Sequence, residues 1–352
     1  MSDLMRSGGT MDVLRRFDFT ARKKYGQNFL IDNKILDRII EASGVSKDDF
    51  VIEIGPGLGS MTERLCQAAG RVAAVEIDSG LIPILSETLA PFDNVTLLNQ
   101  DILKTDISEL VRENCGTKDG PLDADGGEPL QGGGEFPTAE NAGVDSGFLE
   151  RAGDEDTLQG GSGNPLAKPS VLTARNNPWP SGFKGKVRVI ANLPYYITTP
   201  ILMELLTSKA PVSSITVMVQ KEVADRMRAV PGSKAYGSLS LAVQYYAEAE
   251  IVAEVPPSSF IPRPAVSSAI IHLAVREHAP VNADETKLFW VIRAAFNQRR
   301  KTLANALKND PRIHFSREEN LKAIAAIGKK DTVRGEELTL QEFSELVQAL
   351  PW

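Results

Sequence analysis

The chain has 352 residues, 42% of them hydrophobic, and a formal net charge of −7, a length that accommodates two domains with a real core. No window approaches the roughly 18 consecutive apolar residues of a membrane span, and the N-terminal "MSDLMRSGGTMDVLRRFDF" lacks the apolar centre of a secretory signal. Cys66 and Cys115 are the only cysteines and neither is spaced with a His, so neither a zinc site nor a disulfide framework is expected, and a cytoplasmic location is.

The acidity is local. Residues 116–185 carry five basic against eleven acidic side chains, which is −6 of the −7, and 15 of the 28 Gly. With no apolar period, this segment reads as a disordered insertion that cannot bury enough surface to offset chain entropy.

In chain order, residues 1–20 read as a flexible arm and "LDRIIEASG" (36–44) as a helix. "FVIEIGPGLGSMTERLCQAAGRVAAVEID" (50–78) reads strand, glycine turn, helix, strand. Such a βαβ unit implies a parallel sheet covered by helices. Strands follow at "NVTLLNQDI" (94–102), "VRVIANL" (187–193) and "SITVMVQ" (214–220), and "EIVAEV" (250–255) and "SSAIIHLAV" (267–275) close the set. The expected fold is α/β, a mostly parallel seven-stranded sheet with helices on both faces. Beyond residue 280 the pattern is helical: "TKLFWVIRAAFNQRRKTLANALKN" (286–309) reads as one long amphipathic helix, followed by two more. The expected domains are therefore 21–279, interrupted by 116–185, and a small helical domain over 280–352.

"EIGPGLGS" places Gly55, Gly57 and Gly59 in a strand-to-helix turn. Glycines there let the backbone approach a ligand, and the helix N-terminus favours negative groups. Glu76 ends the second strand, 21 residues after Gly55, where an acid grips ribose hydroxyls. Asp101 ends the third, placed to accept a hydrogen bond from an adenine amine. Together they describe a site for an adenosine moiety, without separating a nicotinamide cofactor from S-adenosylmethionine.

"IANLPYYIT" (190–198) separates them. Asn192 at a strand end, followed by Leu193, Pro194 and Tyr195, resembles the catalytic tetrapeptide of amino-group methyltransferases. An exocyclic adenine amine is a poor nucleophile because its lone pair is delocalised into the ring. The Asn192 side-chain oxygen and the Leu193 carbonyl can accept its two N–H bonds and turn the lone pair toward a methyl group. Pro194 fixes φ and presents that carbonyl rigidly, and Tyr195 can stack on a base that has left its helix or loop.

The motifs "RKKYGQNFLID", "IEIGPGLGSMT", "VEID", "NQDIL", "IANLPYYITTPIL", "MVQKEVADRM", "GSKAYGSLSLAVQYY", "VPPSSFIPRPAVSSAII" and "FNQRRKTLANAL" stand in the order found in KsgA-type ribosomal RNA adenine dimethyltransferases. The chain resembles that family over about residues 20–110 and 187–310. "KAYGSLS" and "FNQRRKTL" look like the small-subunit enzyme more than relatives that confer antibiotic resistance on large-subunit RNA.

The resemblance implies a Rossmann-like class I methyltransferase with S-adenosylmethionine as cofactor. It also implies dimethylation of two adjacent adenosines in the 3′-terminal hairpin loop of 16S rRNA, with a role in small-subunit biogenesis. It assigns Asn28 and Leu30 to the cofactor, with Gly55, Gly57, Glu76, Asp101 and Asn192, and makes Phe260 a second aromatic wall for the flipped base. Between Lys287 and Arg312 stand seven Lys/Arg and one acid. Arg299, Arg300, Lys301, Arg22, Lys23 and Lys221 are the candidate phosphate contacts, which position RNA without reading its sequence. The expected protein is a cytoplasmic monomer with no metal and no membrane partner; the competing readings are a non-catalytic assembly factor on the same scaffold, a large-subunit rRNA adenine methyltransferase of the antibiotic-resistance type, and a nicotinamide or other small-molecule enzyme.

Overall fold

The computed structural model describes residues 9–22, 25–115, 171–172, 183–208 and 210–352. They fall into two compact units, one made of residues up to 115, 171–172, 183–221 and Glu250–Val275, the other of Glu222–Ala249 and Arg276–Trp352. The disorder expected over 116–185 lies almost wholly outside the described residues.

The expected arm is, from residue 9, a helix: α1 (Gly9–Arg16) buries Val13 to 1% exposure, and Leu14, Phe17 and Phe19 pack on the same core. Those four apolar side chains give the segment a face to bury. β1 (Phe29–Leu30) leads to α2 (Asn33–Ser43), whose N-cap Asp32 accepts from the Lys34 N–H; such a cap contributes about 1 kcal/mol. β2 (Phe50–Ile54), buried throughout, is followed by α3 (Ser60–Ala68), β3 (Arg71–Glu76), α4 (Ile82–Thr88), β4 (Val95–Asn99) and α5 (Ile107–Cys115). Inside the span expected to be a disordered insertion, Val171–Leu172 form strand β5; β6 (Val187–Asn192), α6 (Thr198–Thr207) and β7 (Val212–Gln220) follow. Then follow α7 (Lys221–Met227), α8 (Ser238–Tyr246), β8 (Ala247–Val255), β9 (Phe260–Ile261) and β10 (Ser268–Val275).

The sheet runs β5-β4-β3-β2-β6-β7-β10-β8. The seven expected strands are joined by β5, a two-residue edge strand antiparallel to β4. β4, β3, β2, β6 and β7 are mutually parallel, and β10 is antiparallel to β7. The chain leaves β2 toward β3 and β4, then returns to β6 on the other side of β2. In open α/β sheets a ligand crevice forms at such a reversal, outside the carboxyl ends of the strands.

β6 is held in register next to β2 by a buried clamp. The Arg188 guanidinium donates to Asp49 Oδ2 at 2.8 Å and the Lys186 N–H to Asp49 Oδ1 at 2.8 Å. Burial pushes the Asp49 carboxyl up, but the Lys186 N–H and the Arg188 charge outweigh it and hold it below the ordinary range. Gly185 lies so close to the Asp48 carbonyl that a Cβ would sit 1.7 Å from its oxygen. A side chain is therefore excluded where the insertion rejoins the sheet.

The second unit packs Tyr236, Leu288, Leu307, Ile324 and Phe343 in its own core. Its helices are α7, all but its first residue, α8, α9 (Glu285–Asn297), α10 (Leu303–Lys308), α11 (Arg317–Ala326) and α12 (Leu340–Ala349). The single helix expected over 286–309 is thus broken. Gln298 leaves helical geometry (φ −124, ψ 49), Lys301 N–H closes a turn on its carbonyl at 2.8 Å, and extended Thr302 precedes α10. Four successive polar residues, 298–301, offer no apolar stripe to carry the helix through. Residues 222–249, read as part of the α/β domain, belong to this unit.

Candidate active site

The carboxyl ends of β2, β3, β4 and β6 open on one cleft, lined by Glu53–Leu58, Val75–Ile77, Gln100–Ile102 and Asn192–Ile197 and closed by residues 25–30. Gly55 (φ 68) and Gly57 (φ 60) adopt left-handed geometry in the turn after β2, where a Cβ is disfavoured. A Cβ on Gly57 would also lie 3.3 Å from the Phe29 ring, so the glycine keeps that cleft wall thin.

Two carboxylates stand at the cleft. Glu53 is fully buried, and its oxygens have no hydrogen-bond partner among the described residues. Burial pushes its pKa up to about 8, against a lowering pull from Thr62 and with Glu76 adding to the rise. Glu76 is raised to about 7, again by burial first, although its oxygens accept the Asp78 N–H at 2.8 Å and the Gly57 N–H at 3.3 Å. When it ionises, Glu53 needs a cation or a donor to offset its burial. S-adenosylmethionine brings an ammonium, a sulfonium and two ribose hydroxyls, and these residues fit it. Asp101 lines the same cleft; one of its oxygens accepts the Leu103 N–H at 3.1 Å.

At the tip of β6, the Asn192 Nδ2 donates to the Asn28 carbonyl at 3.1 Å. That bond assigns the amide orientation and leaves Oδ1 as the acceptor with no described donor. The Leu193 N–H is spent on the Met218 carbonyl at 3.1 Å, whereas no described residue donates to the Leu193 carbonyl. Tyr195 is half-buried and its hydroxyl bonds Ser268 Oγ at 2.8 Å, which fixes the ring at the cleft. Two acceptors and one immobilised ring beside the cleft can receive a primary amine on a planar base.

Asn28 and Leu30 line the cleft as expected, Asn28 Nδ2 bonding the Gly26 carbonyl at 3.0 Å. Phe260 does not. It is 1% exposed, pairs with Leu30 across β9 and β1, and packs in the hydrophobic core. The cleft's further aromatics are Tyr25, Phe29 and Tyr196. The phosphate candidates divide. Arg22 pairs with Asp78 at 2.6 Å, Lys221 with Glu254 at 2.7 Å and Arg299 with Glu336 at 2.6 Å. Arg300 and Lys301 are exposed, and Lys23 lies outside the described residues. Gln27, Asp78, Tyr196 and Ser268 have no place in the sequence reading; the Asp of "VEID" and the second Tyr of "LPYY" are their only local signals.

The sequence model described as "Ribosomal RNA adenine dimethylase" matches residues 18–348. The chain is 45% identical over 343 residues to the Ribosomal RNA small subunit methyltransferase A of Lachnoclostridium phytofermentans, covering 97% of this chain and 95% of that one. It is 40% identical over 350 residues to the protein of the same name from Geobacillus thermodenitrificans, covering 99% and 97%. In fold it is similar to a dimethyladenosine transferase from Plasmodium falciparum, with a TM-score of 0.61, 21% identity and 91% and 96% of the two chains covered. It is also similar to the 23S rRNA methyltransferase ErmE, with a TM-score of 0.56, 19% identity and 92% and 100% covered. A family match over residues 18–348 and relatives at 45% and 40% identity over almost the whole length show that this chain belongs to the ribosomal RNA adenine dimethylase family.

Proposed function

We propose that the chain transfers methyl groups from S-adenosylmethionine to the exocyclic amines of two adjacent adenosines in the 3′-terminal hairpin loop of 16S rRNA, in the small subunit or its precursor. The observation that carries the chemistry is the Asn192 amide, tethered through Nδ2 so that Oδ1 is offered to the cleft. S-adenosylmethionine supplies an electrophilic methyl carbon; the protein's part is placement. Glu76 accepts from ribose hydroxyls, Glu53 faces the cationic part of the cofactor and Asp101 accepts from its adenine. Asn192 Oδ1 and the Leu193 carbonyl accept the two N–H bonds of the target amine, and Tyr195 stacks on the extruded base. No nucleophilic side chain is required, because in-line positioning and electrostatics supply the acceleration.

The choice of small-subunit RNA is supported by the relatives at 45% and 40% identity, both named for that subunit. Arg300 and Lys301, exposed on the helical unit, contact RNA phosphates. The chain acts as a cytoplasmic monomer without a metal and contributes to small-subunit biogenesis. The test is incubation of the protein with labelled S-adenosylmethionine and undermethylated 30S particles, followed by mapping of the modified nucleosides. Label in two neighbouring adenosines near the 16S 3′ end is expected. Label in 23S RNA, or none in 16S, would overturn the reading.

A further inference from the structure

Asp78 is fully buried two residues beyond Glu76, yet it does not line the cleft. Its Oδ1 accepts from Arg22 Nη1 at 2.6 Å and from the Gly80 N–H at 2.9 Å, and its Oδ2 from Gln27 Nε2 at 2.8 Å. Arg22 and Gln27 are joined to each other, the Arg22 N–H donating to Gln27 Oε1 at 2.7 Å. The Asp78 N–H in turn donates to Glu76 Oε1 at 2.8 Å, so the same residue orients the expected ribose acid.

Residues 25–30, which follow this network, touch the acceptor side of the cleft. A Cβ on Gly26 would lie 3.2 Å from the Tyr196 ring, and the Asn28 carbonyl receives the Asn192 amide. At its far end, Leu30 pairs with Phe260, and the Ile31 N–H just beyond bonds the Ser259 carbonyl at 2.9 Å. The segment is therefore pinned at one end by Asp78 and at the other by β9, with the cleft between.

We propose that Asp78, with Arg22 and Gln27, is a latch that holds residues 25–30 across the cofactor cleft and thereby sets the direction of the Asn192 amide. All three are positioning residues, and the proposal rests on the cofactor site described above. The latch depends on charge: a buried carboxylate deprived of its guanidinium is left without its only described cation, and hydrogen bonds to charged groups are the stronger ones. Arg22 retains 43% side-chain exposure, so it can be removed without opening the core.

The test uses the full chain with Arg22→Ala, Arg22→Lys, Asp78→Asn and the Arg22→Ala/Asp78→Asn double variant. Hydrogen exchange of residues 25–30 is followed without cofactor, and S-adenosylhomocysteine affinity by calorimetry. Arg22→Ala is expected to speed exchange in 25–30 alone and to weaken S-adenosylhomocysteine about tenfold. Arg22→Lys should recover most of that loss, and the double variant should be no weaker than Asp78→Asn, since both changes release one latch. Unchanged exchange and affinity in Arg22→Ala would overturn the proposal. So would additive losses in the double variant, or faster exchange spread through β2 and β6. Exchange is read in the cofactor-free protein, so a wild-type chain that bound no S-adenosylhomocysteine would refute the cofactor site while the exchange result still judged the latch.

Discussion

The tip of β6 and the turn between α9 and α10 both carry chemistry-bearing side chains, but they are built on opposite plans. At the tip, Asn192 is tethered to Asn28, Tyr195 to Ser268, and Leu193 is buried with its N–H spent on Met218. At the turn, Arg299 is tied to Glu336, while Arg300 and Lys301 stand exposed. In the proposed reaction the first region works by direction, because an amine must meet two fixed acceptors. The second works by charge, which acts over several ångströms and tolerates movement. Substitutions at the tip should therefore act steeply on turnover, and substitutions at the turn shallowly on RNA affinity.

The sharpest way to break that contrast is Asn192→Ala. It is expected to lower kcat by about 10²–10³-fold, the usual effect of removing one preorganised hydrogen-bonding group, with S-adenosylhomocysteine affinity within a few-fold of wild type. Comparable turnover in single-turnover methylation would remove the amine-holding role. Next is Glu76→Ala, expected to weaken S-adenosylhomocysteine by about 10–100-fold through lost charge-assisted hydrogen bonds; calorimetry that showed normal affinity would refute the ribose assignment.

A smaller effect comes from pH. Glu53 and Glu76 have folded pKa values of about 8 and about 7, both above the ordinary 4.5. Raised carboxylates contribute their full stability below the unfolded value and lose it as pH rises through the folded one, so the cofactor-free protein should become less stable from about pH 4.5 toward 8. A bound ammonium and ribose hydroxyls favour the ionised carboxylates. S-adenosylhomocysteine should therefore bind with proton release, and more tightly as pH rises from 6 to about 8. Titration in buffers of different ionisation enthalpy reads the released protons; affinity flat over that range would contradict the two shifts. Smallest are Arg300→Ala and Lys301→Ala. Each is expected to weaken RNA binding about threefold and to reduce the salt slope by about 1, with kcat on saturating RNA unchanged. A hundredfold loss at either would show that the turn, too, works by direction.

Much of this was legible without coordinates, for a local reason. The buried strands announce themselves as apolar runs, the glycine turn by Gly55, Gly57 and Gly59, and the acceptor tip by Asn192 followed by Pro194. Each signal lies within a few residues of what it specifies. What escaped was set by partners far along the chain. "LFWVIRAAFNQRRKTLANAL" keeps helical spacing on both sides of the polar run 298–301, and the turn there is held by Arg299 on Glu336 and by the Leu303 N–H on the Val333 carbonyl. Phe260 reads as a site aromatic until β9 pairs with β1 and turns it into the core.

By itself, then, the sequence determined a parallel α/β sheet, an adenosine-binding turn and the residue types at the strand ends, because side-chain period and turn chemistry are short-range properties. Tertiary structure alone decided which atoms were left free to act: that the Asn192 amide is anchored by Asn28, that the Glu53 carboxyl has no hydrogen-bond partner among the described residues, and that Arg22 is tied to Asp78. Hydrogen-bond donors and acceptors are used up by neighbours, and for Asn192 and Arg22 those neighbours lie 164 and 56 residues away.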